Sequence, residues 1–267
     1  MIWQNIHNIV SNAPGWWNRQ TWWSQKPLSE RTWGFDSLLW HQQIFIDMLS
    51  WSPEISYVIG LITTDGYLSV DGRHISLTSA EKQQLRNFRK CLGIKNRICG
   101  NNSAISKCYK VTFGNVKFYK ELLKIGLMPS KTSKLGLLKI PNEYFADFLR
   151  GHIDGGGSVI SYIDKHNSYK GKTYTYNRLY VTLRSASFRH MKWIRCRIYK
   201  NLKIKGSLSG WKNRKKKNLK ILWTLRFCKK DSLVLLKYIY YGKNVPCLRR
   251  KRKVAEIFLK KHCCAVL

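Results

Sequence analysis

From residue 54 onward the apolar positions of the chain follow two periods, and each period recurs in the same order about 110 residues later. Ile75-Ser-Leu-Thr-Ser79 alternates like a half-buried strand and leads into a helical run to Leu92, closed by Gly93-Ile94-Lys95. Val181-Thr-Leu-Arg-Ser185 does the same, leading into a run to Leu202 and then Lys203-Ile204-Lys205. Tyr109-Lys-Val-Thr-Phe113 before the run to Leu123 is matched by Trp223-Thr-Leu-Arg-Phe227 before the run to Leu236. The offsets are 106, 110 and 114 residues, so they grow only by short insertions. Each copy therefore reads helix, hairpin, helix, hairpin, helix. The spacing predicts strands at Tyr67–Val70 and Arg73–Thr78 around the turn Asp71-Gly72. In the second copy it predicts Ser158–Ile163 and Arg178–Arg184 on either side of a polar loop, Asp164–Asn177. The fold class expected is α/β in the α+β sense: two pseudo-symmetric αββαββα repeats, each with an antiparallel sheet wet on one face. The repeats span 54–128 and 142–267, the second ending in a basic C-terminal tail, with 129–141 as linker. Tandem domains with no shared site remain the alternative.

Each repeat opens with a short apolar helix that ends in acids and glycines. The first is Tyr57-Val-Ile-Gly-Leu-Ile-Thr-Thr-Asp-Gly-Tyr67, and the second is Phe145-Ala-Asp-Phe-Leu-Arg-Gly-His-Ile-Asp-Gly-Gly-Gly-Ser158. Phe145, Phe148, Leu149 and Ile153 share one helical face. Glycine inside a helix costs about 1 kcal/mol against alanine, so Gly60 and Gly151 in matching places argue for close helix–helix approach. Gly66 suits a position just beyond a helix end, and His152 reads as an interface or core residue. An aspartate in a last helical turn faces the negative end of the dipole, which a bound cation would reverse. Two packed helices with carboxylates at a shared tip can hold a hard cation such as Mg²⁺, suited to phosphodiester chemistry.

Composition narrows the partner. The 267 residues carry 49 Lys+Arg against 14 Asp+Glu, a net charge of +35, with 44% hydrophobic residues. Such a charge points to a polyanion, and nucleic acid leads. Residues 1–53 hold three bases, three acids and eight of the eleven Trp, so the whole +35 lies in 54–267. That opening segment is either an aromatic appendage or an upstream extension of the reading frame, the second being favoured. No apolar run reaches about 18 residues, so no membrane partner is expected. MIWQNIHNIV lacks the form of a secretory signal, and the eight Cys include no C-x-x-C pair. An intracellular protein is expected, of a bacterial cytoplasm or an organelle.

With these residues in view, Val58–Gly66 and Leu149–Gly157 resemble the paired nine-residue motifs of the LAGLIDADG homing endonucleases, in their monomeric, two-repeat, intron-encoded form. Trp51-Ser-Pro-Glu, Asp71-Gly-Arg-His-Ile and Val245-Pro-Cys-Leu-Arg-Arg-Lys-Arg add to the resemblance. It implies motif helices packed at a pseudo-twofold axis, saddle-shaped sheets in the DNA major groove, and Mg²⁺-dependent cleavage of both strands of a long site. The metal-binding acid at the eighth motif position is Asp65 in the first motif, whereas the second has Gly156 there. Asp154 stands at the sixth position, about 200° of helix rotation away, and is a weak substitute. The resemblance thus implies impaired double-strand cleavage, leaving nicking or binding; the family also serves as intron RNA maturases, a role that needs no acid pair. Lys131 and Arg249 follow the last helix of each repeat, where the family often keeps a basic residue near the scissile phosphate. Strand parity assigns base readout to Ser69, His74, Ser76 and Thr78, with Arg178, Tyr180, Thr182 and Arg184 in the second repeat. Phosphate contact falls to Lys212, Arg214, Lys215, Lys216 and Lys217 and to the run Arg249–Lys253. A generic RNA-packaging protein would fit the charge but not the paired motifs.

Overall fold

In a computed structural model of the protein, residues 50–103, 106–169, 171–212 and 220–263 are described. Almost all of the Trp-rich opening segment, and the residues Arg214, Lys215, Lys216 and Lys217, lie outside them.

The first helix, α1 (Pro53–Asp65), starts where local chemistry says it should: the Ser52 side chain accepts from the Ile55 N–H at 3.2 Å and Pro53 takes the opening position. It is followed by β1 (Gly66–Leu68), β2 (His74–Ser79), α2 (Lys82–Leu92), β3 (Cys99–Ser103), β4 (Ser106–Gly114) and α3 (Val116–Ile125). The second repeat repeats the order with α4 (Phe145–Gly156), β5 (Ser158–Tyr169), β6 (Lys172–Ser185), α5 (Phe188–Leu202), β7 (Ser207–Trp211), β8 (Leu222–Phe227) and α6 (Lys229–Ile239). The sheets are antiparallel with matching strand orders, β1-β2-β4-β3 and β5-β6-β8-β7, so the two-repeat α+β architecture is present. No helix among the described residues is long and apolar enough to cross a membrane.

Two expectations need correction. The stretch Asp164–Asn177 is not a loop but the outer part of a long hairpin, with one register irregularity between Asp164 and Asn167. Its Thr173-Tyr-Thr-Tyr176 run alternates β-favouring residues, a strand signal masked by the polar letters around it. The C-terminal tail is a seventh helix, α7 (Arg249–Cys263), with no counterpart after α3. Gly66 stands just beyond the end of α1, as its place in the sequence suggested, with an extended backbone of φ −83° and ψ 154°. Its bare Cα is needed for space: a Cβ would lie 2.5 Å from the Ile62 Cα.

The matched mid-helix glycines do what their position suggested. A Cβ on Gly60 would lie 2.2 Å from the Phe148 carbonyl oxygen, and one on Gly151 would lie 2.1 Å from that of Tyr57. Helices α1 and α4 thus cross backbone to backbone, and nearly every side chain of both is buried. One apolar core runs through both repeats. In the first sheet Ile75, Leu77, Val111 and Phe113 face α2 and α3; in the second Leu179, Val181, Leu183, Leu225 and Phe227 face α5 and α6. The opposite faces of both sheets are left to solvent, flanking the paired C-terminal tips of α1 and α4.

The linker is built into this core. Leu135, Leu138 and Ile140 are buried, and its backbone is bonded to both repeats. Lys139 N–H donates to the Ile125 carbonyl at 2.9 Å, while the Leu135, Gly136 and Ile140 carbonyls face Ser187, His190 and Arg197. His190 also meets the fully buried His152, Nε2 to Nε2 at 3.3 Å, which fits the core reading of His152.

Candidate nucleic-acid interface and helix-tip site

Asp65 is the last residue of α1, half-buried beside the tip of α4. Its Oδ2 accepts from Gln84 Nε2 at 3.0 Å, and Gln84 is fixed in turn because its Oε1 accepts from Ser79 Oγ at 3.0 Å. Burial raises the Asp65 carboxyl above its ordinary range, against the lowering effects of the Gln84 hydrogen bond and of Lys251 and Lys131. A carboxylate in this state is held charged at a cost that a cation offsets.

Both helix tips are served by a buried lysine. Lys131 donates to the Gly66 carbonyl just past α1, and burial pushes its ammonium down to about 8. Lys251 donates to the carbonyls of Ile153, Asp154 and Gly157 at 2.7–2.8 Å, closing the end of α4. These lysines satisfy carbonyls left over at the helix ends and sit at the negative pole of each dipole. Lys251, not Arg249, is therefore the counterpart of Lys131. Arg249 is exposed at the start of α7, and only its backbone N–H reaches inward, to Gln83 Oε1 at 3.3 Å. Five consecutive basic residues hid the distinction. Helical phase reveals it, since Lys251 shares the inward face with Ala255 and Phe258.

Asp154 has a different occupation from Asp65. It is 1% exposed, and its Oδ2 accepts from Tyr57 Oη at 3.0 Å and from the Leu248 N–H at 2.8 Å. Leu248 immediately precedes α7, so this carboxylate stands at the positive end of that helix while Lys251 of the same helix closes α4. The two contacts lock α7 against α4 reciprocally. Burial raises the Asp154 carboxyl to about 6 despite Lys251, and its Oδ1 lacks a hydrogen-bond partner among the described residues. The residue is an anchor for a helix, which accounts for an acid at this place without any metal.

Gly156, the last residue of α4, packs against Thr64. A Cβ there would lie 3.0 Å from Thr64 Cγ2 and 3.2 Å from Thr64 Cβ, close but open to a small shift. A cleft of about 380 Å³ lies at this tip, lined among others by Asp65, Thr78, Gln84, Asp154, Gly155 and Lys251. Glu81 also lines it but is paired with Arg250 at 2.6 Å. No group of three or more His, Cys, Asp or Glu suited to a metal occurs among the described residues. The residues fit a Mg²⁺ ion held by one protein carboxylate, Asp65, with water and phosphate oxygens for the rest; they do not fit two carboxylates.

The sheet faces are wet largely as strand parity requires. His74 and Thr78 are exposed on β2, and Arg184 is exposed at the inner end of β6. Ser69 is half-buried just past β1, and Lys212 is exposed just past β7. Ser76 and Thr182, at 4% and 6% exposure, are not available for readout. Their parity is right, but each sits in mid-sheet between two cross-strand neighbours, Tyr67 and Thr112 for Ser76, Ser158 and Arg226 for Thr182. Arg178 is tied to Asp164 at 3.0 Å, and the Tyr180 ring lies beneath Arg226 at 3.8 Å.

Two four-stranded saddles, joined at glycine-packed helices whose tips carry Asp65, decide the architecture when set beside solved structures. The chain has the LAGLIDADG fold. It is similar to the LAGLIDADG meganuclease I-AabMI bound to uncleaved DNA, with a TM-score of 0.53, 13% identity, and coverage of 80% of this chain and 91% of that one. A variant of I-SmaMI gives a TM-score of 0.51 at 12% identity, over 80% and 92% of the two chains. Full-length WhiA from Thermatoga maritima gives 0.49 at 15% identity over 83% of this chain, which spans 63% of WhiA. No protein-family model and no curated protein matches the sequence. Gln84 and Tyr57 are tip residues with no signal of their own in the sequence, and Lys251 stands out from its basic run only by its burial.

Proposed function

We propose that this chain binds a long double-stranded DNA site sequence-specifically through its two saddles and hydrolyses one strand of it, as a nicking relative of the LAGLIDADG nucleases. The observation that carries the reading is the inequality of the tips: Asp65 faces the cleft, whereas its counterpart is Gly156 and the nearby Asp154 is committed to α7. Asp65 would hold Mg²⁺, which when bound supplies an activated water and charge stabilisation for the leaving oxygen. Gln84 and Ser79 hold the carboxylate in one orientation, Lys251 lines the cleft and supplies positive charge there for the phosphate, and Lys131, buried against the Gly66 carbonyl, adds to the positive field at Asp65. One chain contains both saddles, so a monomer suffices. The basic strands and loops provide the sequence-independent part of the affinity.

The test uses a duplex site selected from a random library and placed in a supercoiled plasmid. Nicked circles should accumulate with Mg²⁺ and vanish in Asp65→Asn without loss of binding. Linear product from the natural sequence, or nicking that persists in Asp65→Asn, overturns the assignment. Binding with no nicking at all would leave a DNA-binding protein without the hydrolytic step.

A further inference from the structure

The β5–β6 hairpin differs from its counterpart in more than length. Strands β1 and β2 have three and six residues, whereas β5 and β6 have twelve and fourteen. Because β8 pairs with β6 only from Val181 to Ser185, the rest of the hairpin is a free two-stranded ribbon. The cross-strand register puts Ile160 opposite Tyr180, Tyr162 opposite Arg178, and Asn167 opposite Tyr174 on the face away from the core. Ile160, Tyr162, Tyr174 and Tyr176 are 47%, 48%, 41% and 46% exposed there. Arg178 is engaged by Asp164, and Arg226 of β8 by the Tyr180 ring. Lys165 and His166 are exposed at the register irregularity, away from the Ile160–Tyr162 stretch, and Lys172 and Arg184 stand at the two ends. The first repeat presents a different face, with His74, Thr78, Lys110 and Thr112 exposed beside Tyr67.

A two-stranded ribbon fits the major groove, where the four base pairs differ in what they display. All four bases show polar groups there, and pressing an apolar side chain on those groups strands them without partners. Thymine alone adds, beside its O4 acceptor, a methyl group that an apolar side chain can cover at no such cost. Resting on the reading of the protein as a duplex DNA binder, we propose that this ribbon selects thymine in the half-site under the second repeat, through apolar contact of Ile160, Tyr162 and Tyr176 with 5-methyl groups. The half-site under the first repeat is read by hydrogen bonds instead.

The experiment selects sites for the full chain from random duplex DNA at fixed salt, then resynthesises the selected site with deoxyuridine in place of thymine, one half at a time. Deoxyuridine pairs as thymine does and lacks only the methyl. One half-site should be thymine-rich, and each deoxyuridine in it should weaken binding roughly fourfold, the value of one buried methyl. The triple variant Ile160→Ser, Tyr162→Ser, Tyr176→Ser, changed only at exposed positions, should bind the thymine and deoxyuridine forms alike and lose selection in that half alone. Equal affinity of the natural chain for both forms, or a guanine-rich half-site under the ribbon, overturns the inference while leaving duplex binding intact. A selection that returns no duplex site overturns both.

Discussion

On the proposed function, placing an acid at Gly156 should turn nicking into cutting of both strands. In Gly156→Asp the new Cβ meets Thr64 Cγ2 at 3.0 Å and Thr64 Cβ at 3.2 Å, so this side chain must yield by a few tenths of an ångström. Replacing glycine in a backbone geometry that other residues tolerate gains about 0.4–1 kcal/mol through the unfolded state. An acid in the last helical turn loses about 0.3–1 kcal/mol to the dipole. The two nearly cancel, so the metal-free variant should melt close to the parent. The new carboxylate and Asp65 then share one tip, raising each other's proton affinity until a cation is bound. Mg²⁺ should therefore raise the melting temperature of the variant more than that of the parent. In the plasmid assay, linear product should appear with the variant and not with the parent, second-strand cleavage gaining roughly 100- to 1,000-fold, the usual value of one well-placed electrostatic contact. Gly155→Asp serves as the control, because a Cβ there would lie 1.9 Å from Thr64 Oγ1 and the helix contact must open. A Gly156→Asp protein that folds, binds its site with parental affinity and yields no linear product refutes the account of this position.

Gly60→Ala should destabilise the protein by about 3 kcal/mol or more in urea unfolding, since its methyl would lie 2.2 Å from a backbone oxygen and lacks room to rotate away. Asp154 gives a pH signature. Its folded value of about 6 exceeds the unfolded value near 3.9, so the native state binds the extra proton and stability falls as pH rises from about 4 to 6. The difference of about 2 pH units corresponds to about 3 kcal/mol, so Asp154→Asn should gain on the parent up to that amount above pH 6 and converge with it near pH 4. His190, lowered to about 4 by burial, opposes this trend in the same window, which makes the variant-minus-parent difference the quantity to measure. DNA binding through 6–10 phosphates should give a slope of log affinity against log salt of about −5 to −9; a slope near −2 would place most of the +35 charge away from the DNA.

What could be read in the letters was what a single short period encodes. Gly60 and Gly151, the alternation of β2 and of Arg178–Arg184 in β6, and an acid at the end of the first motif helix all follow from local pattern. The residues overlooked are those defined by contacts between segments far apart in sequence. Gln84 is an ordinary helix polar residue until Asp65 is found beside it, 19 positions away. Asp154 looks like a displaced catalytic acid until Leu248 and Tyr57 occupy it. Ser76 and Thr182 show the complementary limit, because parity gives the face of a sheet but not the size of the neighbours that cover it.

The segment from Lys131 to Ile140 has a mechanical consequence. It is bonded to Gly66 and Ile125 on one side and to Ser187, His190 and Arg197 on the other, so it acts as mortar where a tether would allow the halves to swivel. With α1 and α4 already touching through their backbones, the distance and angle between the saddles are fixed before any DNA arrives. One extra base pair between the half-sites moves them apart by about 3.4 Å and turns one against the other by about 34°. If the protein reads duplex DNA as proposed, it is also a ruler, and it should reject a correct sequence at the wrong spacing as firmly as a wrong sequence at the correct one.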